Sequence, residues 1–314
     1  MSTIAAAIAY ADVPRPPAAG SLDAAAGTRL QFLAIDAIDG SRVDAVLWQP
    51  EATAPADTTL VLQVHGSGSN YAKPPNDFLG ARLAAAGRAV LAINTRQHDE
   101  RVATDNFYDV ARDIDAAVRT ARGLGYRRVV LQGHSLGTIQ VLYYAATHWD
   151  ADLRAVSLLG PVGNLPWKTR AILVQDEAAF KALTEAAMAA LRQGRDADLL
   201  PMTMGWFTDA KMPVTARHFL TYRWEQVSGA DSTYWIRRVR QPVLIVRDAS
   251  DGVIQPFEPF MLLGAANDAA SLVESSDYVL LPNEAKRSLA GHSFAGNEAP
   301  LAAAIGDWLA KRGL

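Results

Sequence analysis

One short segment, residues 129–137, limits what this chain can fold into more than any other feature. An apolar run over residues 129–131 leads into the pentapeptide Gly-His-Ser-Leu-Gly centred on Ser135, and a helix-forming stretch over residues 138–146 follows. This order predicts a strand, a tight turn and a helix, with Ser135 in a strained conformation that lifts its hydroxyl clear of a sheet. Glycines flank it because side chains there would collide with the neighbouring strand and helix. Ser135 is therefore a candidate nucleophile; the alternative is a glycine-rich turn whose serine caps the helix.

The rest of the chain repeats the pattern of an apolar strand followed by a helix. Two alternating segments, residues 30–37 and 42–48, are joined by Asp39-Gly40 and predict a hairpin before these repeats. Fully apolar strands that alternate with helices are typical of a parallel sheet buried on both faces. The sequence therefore predicts an α/β fold with a mostly parallel central sheet flanked by helices. The strands are predicted at residues 59–64, 89–93, 129–131, 155–159, 243–246 and 278–281, and the helices at residues 77–86, 108–122, 138–146, 256–265 and 301–310.

The strand–helix pattern is interrupted over residues 161–235. This stretch holds a helix-prone portion and then an irregular portion rich in methionine and aromatic side chains. We interpret residues 161–235 as a cap inserted over the carboxyl edge of the sheet, and we expect residues 202–207 to face an apolar, adaptable pocket. Residues 28–160 and 236–314 then form the core, and residues 1–27, rich in alanine and proline, form a leader or a surface arm.

Composition excludes several kinds of chemistry and partner. The 314 residues include no cysteine, which excludes disulfides, thiolate catalysis and cysteine-ligated metal. The formal net charge is -3, so no basic face favours nucleic acid or an anionic membrane. No stretch approaches the roughly 20 apolar residues of a membrane span. The apolar stretch 4–11 is short and no basic residue precedes it, unlike a secretory signal. We expect a cytoplasmic protein, and the sequence leaves its oligomeric state open.

Polar residues gather directly after the ends of the predicted parallel strands, where open sheets of this kind bind their ligands. The strand ending at residue 64 is followed by residues 65–70, His-Gly-Ser-Gly-Ser-Asn. The strand ending at residue 246 is followed by residues 247–252, Arg-Asp-Ala-Ser-Asp-Gly, and the strand ending near residue 281 by a loop that contains His292. Together with Ser135, these loops supply a serine, an aspartate and a histidine in that chain order.

These motifs resemble the α/β-hydrolase fold superfamily, of the serine esterase type with a cap insertion, over residues 30–314. The matching segments are His65-Gly66-Ser67, the Gly-His-Ser-Leu-Gly pentapeptide, Asp251 and Gly291-His292-Ser293-Phe294. The chain order serine, aspartate, histidine is also that of this superfamily. The resemblance implies a catalytic triad of Ser135, Asp251 and His292 that needs neither a cofactor nor a metal. It also implies that His65 shapes its loop.

The assigned roles follow from the chemistry of acyl transfer. A serine hydroxyl is a poor nucleophile until a base takes its proton, and neutral imidazole suits that task near pH 7, so His292 is the expected base. The carboxylate of Asp251 would hold the imidazole tautomer and offset its charge. Asp248 stands where the family often has glycine and is a second candidate, or else a residue that forms the turn after the strand. His134 is expected to point away from the site.

Acyl transfer also develops a negative oxygen that needs preorganised donors. The N–H of Leu136, at the start of the predicted helix, is one expected donor, and by resemblance the N–H of Ser67 is the other. The sequence thus predicts hydrolysis of a carboxylic ester, a lactone or a thioester through an acyl-enzyme, with a small hydrophobic substrate under the cap. The alternatives are amide or carbon–carbon bond hydrolysis or perhydrolysis by the same triad, and a non-catalytic module that binds a ligand.

Overall fold

The computed structural model describes residues 10–16, 19–20, 22–205 and 211–314. The strands in this part of the chain are β1 (Tyr10–Asp12), β2 (Thr28–Asp36), β3 (Arg42–Pro50), β4 (Leu60–Val64), β5 (Ala89–Asn94), β6 (Val129–His134), β7 (Leu153–Leu159), β8 (Met204–Gly205), β9 (Lys211–Met212), β10 (Val243–Asp248) and β11 (Ser276–Leu281). Nine of them form one sheet in the order β1-β2-β3-β5-β4-β6-β7-β10-β11, and β8 pairs with β9 separately.

The centre of the sheet is parallel and buried on both faces. Six neighbouring strands run parallel in the order β5-β4-β6-β7-β10-β11, whereas β1, β2 and β3 add antiparallel neighbours at one side. In β4 the side chains of Leu60 and Leu62 pack in the apolar layer on one face, and that of Val61 packs on the other. The predicted mostly parallel α/β sheet is therefore confirmed. Strand β1 was not predicted from the sequence; it lies in the segment that was interpreted as a leader or surface arm.

Helices cover both faces of this sheet. The helices are α1 (Asn76–Ala85), α2 (Val110–Gly123), α3 (Leu136–Thr147), α4 (Leu165–Lys168), α5 (Glu177–Arg192), α6 (Ala216–His218), α7 (Ser232–Ile236), α8 (Glu258–Ala266), α9 (Leu289–His292) and α10 (Glu298–Ala310), with π-helical turns at Thr169–Val174 and Phe219–Arg223. Helices α1 and α10 pack on the face that contains Val61, and α2, α3 and α8 pack on the face that contains Leu62. No helix in the described ranges combines the length and the apolar character needed to cross a membrane.

The segment between β7 and β10 has an apolar core of its own. This core is built from α5, the β8–β9 pair and the π-helical turn after α6, and it contains Phe180, Leu183, Ala187, Met204, Met212, Val214, Phe219 and Leu220. Met204 is fully buried there and Met202 packs against the same cluster. The expectation that Met204 faces a pocket is therefore wrong, because it fills the core of the segment, and Met202 covers that core from outside. Trp206 and Phe207, the two aromatic residues of the 202–207 range, lie outside the described residues.

Buried polar contacts join this segment to the loop that follows β5. The N–H of Thr215 donates to the carbonyl of Ala103 at 3.1 Å. The carboxylate of Asp105 accepts hydrogen bonds from the hydroxyl of Tyr222 at 2.6 Å and from Nδ1 of His218 at 3.1 Å. Burial lowers the pKa of His218, which keeps its ring neutral. The segment is thus fixed beside the carboxyl edge of the parallel strands, where the candidate catalytic loops lie.

The turn between β6 and α3 is packed too tightly for a side chain at Gly133 or Gly137. A Cβ atom on Gly133 would lie 2.4 Å from the carbonyl oxygen of Gly137, and a Cβ atom on Gly137 would lie 2.4 Å from the carbonyl oxygen of Val64. Backbone atoms cannot move aside as a flexible side chain can. Both glycines therefore allow α3 to start directly against β4 and β6, and this close approach sets the position of Ser135.

We predict that Gly137→Ala lowers the free energy of unfolding by about 1–3 kcal/mol, because the new methyl group overpacks a backbone contact. Urea unfolding followed by circular dichroism measures the change. Gly264→Ala is the matched control, since this glycine lies within α8 and no atom lies within 4 Å of its added Cβ. The control should gain about 0.5–1 kcal/mol, as alanine favours a helix over glycine. Equal stability of the two variants would contradict the packing argument.

Candidate active site

Ser135 occupies the strained turn that the sequence predicts. Its backbone angles are φ 53° and ψ -121°, outside the regions that residues with a side chain favour. The N–H of Ser135 donates to the carbonyl of Leu159 at 2.9 Å, which ties the turn to β7. Strain of this kind is of order 1–3 kcal/mol and persists where the surrounding structure imposes it, often at functional sites. Ser135 remains 8% exposed and lines a cavity of about 280 Å³.

His292 and Asp251 form a buried pair at the edge of the same cavity. Nδ1 of His292 and Oδ2 of Asp251 are 2.8 Å apart, and the other carboxylate oxygen accepts the N–H groups of Val253 at 2.7 Å and Ile254 at 2.9 Å. Burial, the largest influence, raises the pKa of Asp251, but the charge and hydrogen bond of His292 and the two N–H groups outweigh it and lower this pKa overall. Asp251 is therefore an ionised acceptor, and Nδ1 of His292 carries the proton.

This tautomer leaves Nε2 of His292 as the acceptor nitrogen. Nε2 is buried and has no hydrogen-bond partner within the described ranges, while His292 and Ser135 line one cavity. Hydrogen bonds between a nucleophile and its base are often long without substrate and shorten when it binds. The structure thus brings Ser135, His292 and Asp251 to one site, although 157 residues of sequence separate Ser135 from His292.

Close backbone packing holds the loops of Asp251 and His292 together. The N–H of Gly252 donates to the carbonyl of Ser288, and the N–H of Ser288 donates to the carbonyl of Ser250, both at 2.9 Å. A Cβ atom on Gly291 would lie 2.3 Å from the carbonyl oxygen of Ser250, and one on Gly252 would lie 2.7 Å from the N atom of Ser288. The two glycines therefore permit the approach that places the imidazole against the carboxylate.

Gly160 is a site residue that the sequence analysis missed. It follows β7 with a left-handed φ of 52°, and a Cβ atom there would lie 3.0 Å from Cε1 of His292 and 3.3 Å from Oδ2 of Asp251. Any larger residue would push against both partners of the buried pair. The available signal was its place in the sequence, directly after the strand that neighbours β6.

Asp248, the second candidate for the acid, is turned away from the imidazole. Its Oδ1 accepts the N–H and the hydroxyl of Ser250, both at 2.7 Å, and its Oδ2 accepts Nδ2 of Asn297 at 2.8 Å. These contacts close the turn after β10 and tie it to the loop before α10. Asp248 therefore has the turn-forming place that was its alternative role, and Asp251 is the carboxylate beside His292.

His134 does not point away from the site, contrary to expectation. Its ring centre lies 4.7 Å from that of His292, its Nε2 is 3.0 Å from the backbone carbonyl of His292, and it lines the same cavity as Ser135. Burial lowers the pKa of His134 to about 3, so the ring is neutral and Nε2–H donates to that carbonyl. A ring of such low basicity is a poor proton acceptor, and His134 supports the backbone of His292 instead.

His65 links two loops at the carboxyl edge of the sheet. Its Nδ1 is 2.7 Å from the carbonyl of Gly66, and its Nε2 accepts the N–H of Thr95 at 3.0 Å. Burial lowers the pKa of His65 to about 4, which keeps the ring neutral and suits these two opposite hydrogen-bond roles. This hydrogen bond between His65 and Thr95 joins the loop after β4 to the loop after β5.

The two candidate oxyanion donors flank Ser135. Leu136 is the first residue of α3, so its N–H has no acceptor one turn earlier within the helix. Ser67 lines the cavity with Ser135, and a Cβ atom on the preceding Gly66 would lie 2.9 Å from Cβ of Ser135. The loop after β4 thus lies directly against the turn that carries the serine. A helix N-terminus beside it favours negative charge at this point.

Two cavities meet at Ser67 and Gly68. The first, of about 280 Å³, contains Ser135 and is lined by Gly66, Ser67, Gly68, Ser69, Lys73, Pro74, His134, Ser135, Val253, Leu289, His292 and Ser293. The second, of about 350 Å³, is lined by Ser67, Gly68, Asp99, Val102, Lys211, Met212 and Pro213. Residues 211–213 of the inserted segment therefore form one wall beside the loop that carries Ser67. No group of three or more His, Cys, Asp or Glu side chains suited to a metal ion occurs among the described residues.

Comparison with known proteins identifies the family. A family model described as alpha/beta hydrolase fold matches residues 59–262, more than half of the chain. The chain therefore belongs to the alpha/beta hydrolase fold family, as the resemblance in the sequence implied. No curated protein sequence matches it significantly.

Several solved structures share the fold over almost their whole length. Est1E from Butyrivibrio proteoclasticus with bound ferulic acid is 17% identical, with 88% of this chain and 98% of that chain covered and a TM-score of 0.65. A thermostable carboxyl esterase from Bacillus coagulans in complex with glycerol is 16% identical, with 90% and 98% covered and a TM-score of 0.62. The esterase domain of a Rhodothermus marinus protein is 19% identical, with 89% and 97% covered and a TM-score of 0.57. At these identities the likeness concerns the fold.

Proposed function

We propose that this protein is a serine-dependent hydrolase of carboxylic esters that works through an acyl-enzyme. One observation carries the proposal: the buried hydrogen bond from His292 to Asp251 leaves Nε2 of His292 as a free acceptor at the cavity that the strained Ser135 also lines. Two of the proteins that share its fold are named as esterases, which supports ester hydrolysis over other chemistry of the family.

The reaction begins with attack of Oγ of Ser135 on the ester carbonyl carbon. Nε2 of His292 takes the hydroxyl proton, and Asp251 stabilises the imidazolium that results. Collapse of the tetrahedral intermediate breaks the bond to the alcohol, which receives the proton from His292. Water then attacks the acyl-enzyme with His292 again as the base, and the carboxylic acid leaves. The bonds broken and formed balance without a redox partner or a cofactor.

The N–H groups of Leu136 and Ser67 would stabilise the oxyanion of each tetrahedral intermediate. Loss of one such donor costs about 2.7–4 kcal/mol of transition-state stabilisation in serine hydrolases. The positive end of α3 adds to this effect at Leu136. Both donors are backbone groups, so neither depends on the identity of its own side chain.

The cavity around Ser135 favours a small ester with an apolar part. Its volume of about 280 Å³ is at the low end of ligand pockets, and Pro74, Val253 and Leu289 give it apolar walls. In this proposal residues 161–235 act as a cap, because residues 211–213 wall the second cavity next to Ser67. A lactone or thioester of similar size would fit the same chemistry.

We predict that Ser135→Ala lowers kcat/KM for p-nitrophenyl esters at least about 1,000-fold, because a triad without its nucleophile retains only binding and oxyanion stabilisation. Initial rates with acetate, butyrate and octanoate esters measure the loss. Ser271→Ala is the control and should keep full activity, because this half-buried serine does not line the cavity and its hydroxyl accepts the N–H of Val273. Equal, background-level rates in wild type and Ser135→Ala would contradict ester hydrolysis and would favour carbon–carbon bond hydrolysis or ligand binding.

We predict that replacing Asp251 lowers kcat, whereas replacing Asp248 mainly lowers stability. Asp251→Asn should lower kcat about 1,000- to 10,000-fold, since an amide no longer enforces the productive imidazole tautomer. Asp248→Asn should change kcat less than about tenfold but lower the free energy of unfolding by about 1–3 kcal/mol, because one of two buried acceptor oxygens becomes an NH2 donor that faces other donors. Steady-state kinetics and urea unfolding on both variants separate the roles. A larger loss of kcat in Asp248→Asn would transfer the acid role to that residue.

A further inference from the structure

Asp99 has an unusual backbone in the loop that follows β5. Its φ is 48°, a left-handed conformation that is unfavourable for a residue with a side chain, although aspartate and asparagine tolerate it better than most. Its side chain is 22% exposed and lines the second cavity, beside Ser67. Such strain persists only where neighbouring contacts impose it, so the contacts of Asp99 indicate which part of the structure holds it.

Most of the partners of Asp99 lie in the loop of residues 65–75 after β4, called here the β4 loop. Oδ1 of Asp99 accepts Nδ2 of Asn70 at 2.8 Å and Nζ of Lys73 at 3.0 Å. The N–H of Asp99 donates to the carbonyl of Ser69 at 3.3 Å. Oδ2 lies 3.0 Å from Nδ1 of His98, within its own loop. A single residue thus binds three residues of the β4 loop, through both its carboxylate and its backbone.

Within the β4 loop itself, one backbone hydrogen bond spans Ser67: the N–H of Ser69 donates to the carbonyl of Gly66 at 3.2 Å. Gly66 and Gly68 flank Ser67, Gly68 has a φ of 63°, and glycine is the residue with the greatest backbone freedom. An oxyanion donor must lie about 2.7–3.1 Å from the developing charge, so small displacements weaken it. The contacts of His65 hold the loop before Ser67, and Asp99 holds it at Ser69, two residues after Ser67.

We propose that Asp99 is a positioning residue that holds the N–H of Ser67 in place for the oxyanion. The inference rests on the proposed ester hydrolysis, in which that N–H is one of two donors. The charge of Asp99 is well suited to the task. Burial, the largest influence, raises the pKa of Asp99, but hydrogen bonds from His98, Lys73 and Asn70 lower it to about 2. The carboxylate therefore stays ionised at every pH used for esterase assays.

The test compares Asp99→Ala, Asp99→Gly and Asp99→Asn in the full chain. Ala and Gly both remove the carboxylate, while Gly also relieves the left-handed strain, so both should lower kcat about 10- to 100-fold, part of the loss that follows removal of an oxyanion donor. KM should change less than about threefold, since substrate binding is not what the donor supplies. Asn keeps an acceptor oxygen and tolerates the backbone angle, and should retain most of the activity.

A transition-state analogue gives a readout that a purely structural role would not move. The affinity of a boronic acid inhibitor, measured by competition against a p-nitrophenyl ester, should fall by the same factor as kcat in Asp99→Ala and Asp99→Gly. Asp39→Ala is the matched control: this aspartate is 21% exposed and pairs with Arg96 and Arg112, but it makes no contact with the β4 loop among the described residues. It should leave kcat and inhibitor affinity unchanged.

Several outcomes would overturn the inference. Wild-type kcat in Asp99→Gly would do so, as would a loss of kcat without a matching loss of boronic acid affinity, or an equal loss in Asp39→Ala. If Asp99→Ala does not fold, Asp99→Gly alone carries the test, because it lacks the strained side chain. An active wild type with unaffected Asp99 variants would remove this inference and leave the proposed function standing, whereas an inactive wild type would remove both.

Discussion

The active-site geometry depends on one buried hydrogen bond, from Nδ1 of His292 to the carboxylate of Asp251. Because an ionised carboxylate only accepts, this bond sets the tautomer of the imidazole and leaves Nε2 as the acceptor nitrogen, as the proposed role of His292 as a base requires. It can form only because two loops pack backbone against backbone, with Gly252 and Gly291 at the contacts, and because Gly160 leaves room behind the ring. The residues without side chains are thus as necessary to the site as the reactive ones.

Patterns along the chain were sufficient to predict the sheet and the loops that meet at its carboxyl edge. Apolar strands such as β4 and β6 are recognisable from composition, and parallel strands necessarily place their following loops on one edge. The choice between Asp248 and Asp251 could not be made with certainty in this way. The choice depends on which carboxylate accepts hydrogen bonds from Ser250 and Asn297 and which one lies next to His292. Neither is a local property of the sequence.

Long-range packing explains why the expectation for His134 was wrong and why Asp99 was missed. His134 was expected to face away because only its neighbours in the turn were considered. In the structure its ring faces the site and contacts the backbone carbonyl of His292, which lies 158 positions later in the chain. Asp99 resembles an ordinary loop aspartate in sequence, and its left-handed backbone and its three partners in the β4 loop appear only in the folded chain. Burial also keeps His65 and His134 neutral, with pKa values of about 4 and 3, so proximity alone does not make a histidine a base.

Covalent labelling of the protein with a fluorophosphonate tests the central claim most directly, because only an activated serine reacts rapidly with this group. Mass spectrometry of a tryptic digest should find one label per chain, on the peptide of residues 129–154, in which Ser135 is the only serine. The same treatment of His292→Ala should leave that peptide unlabelled on the same time scale. Absence of the label in the wild type, or a label on any other peptide, would contradict the account.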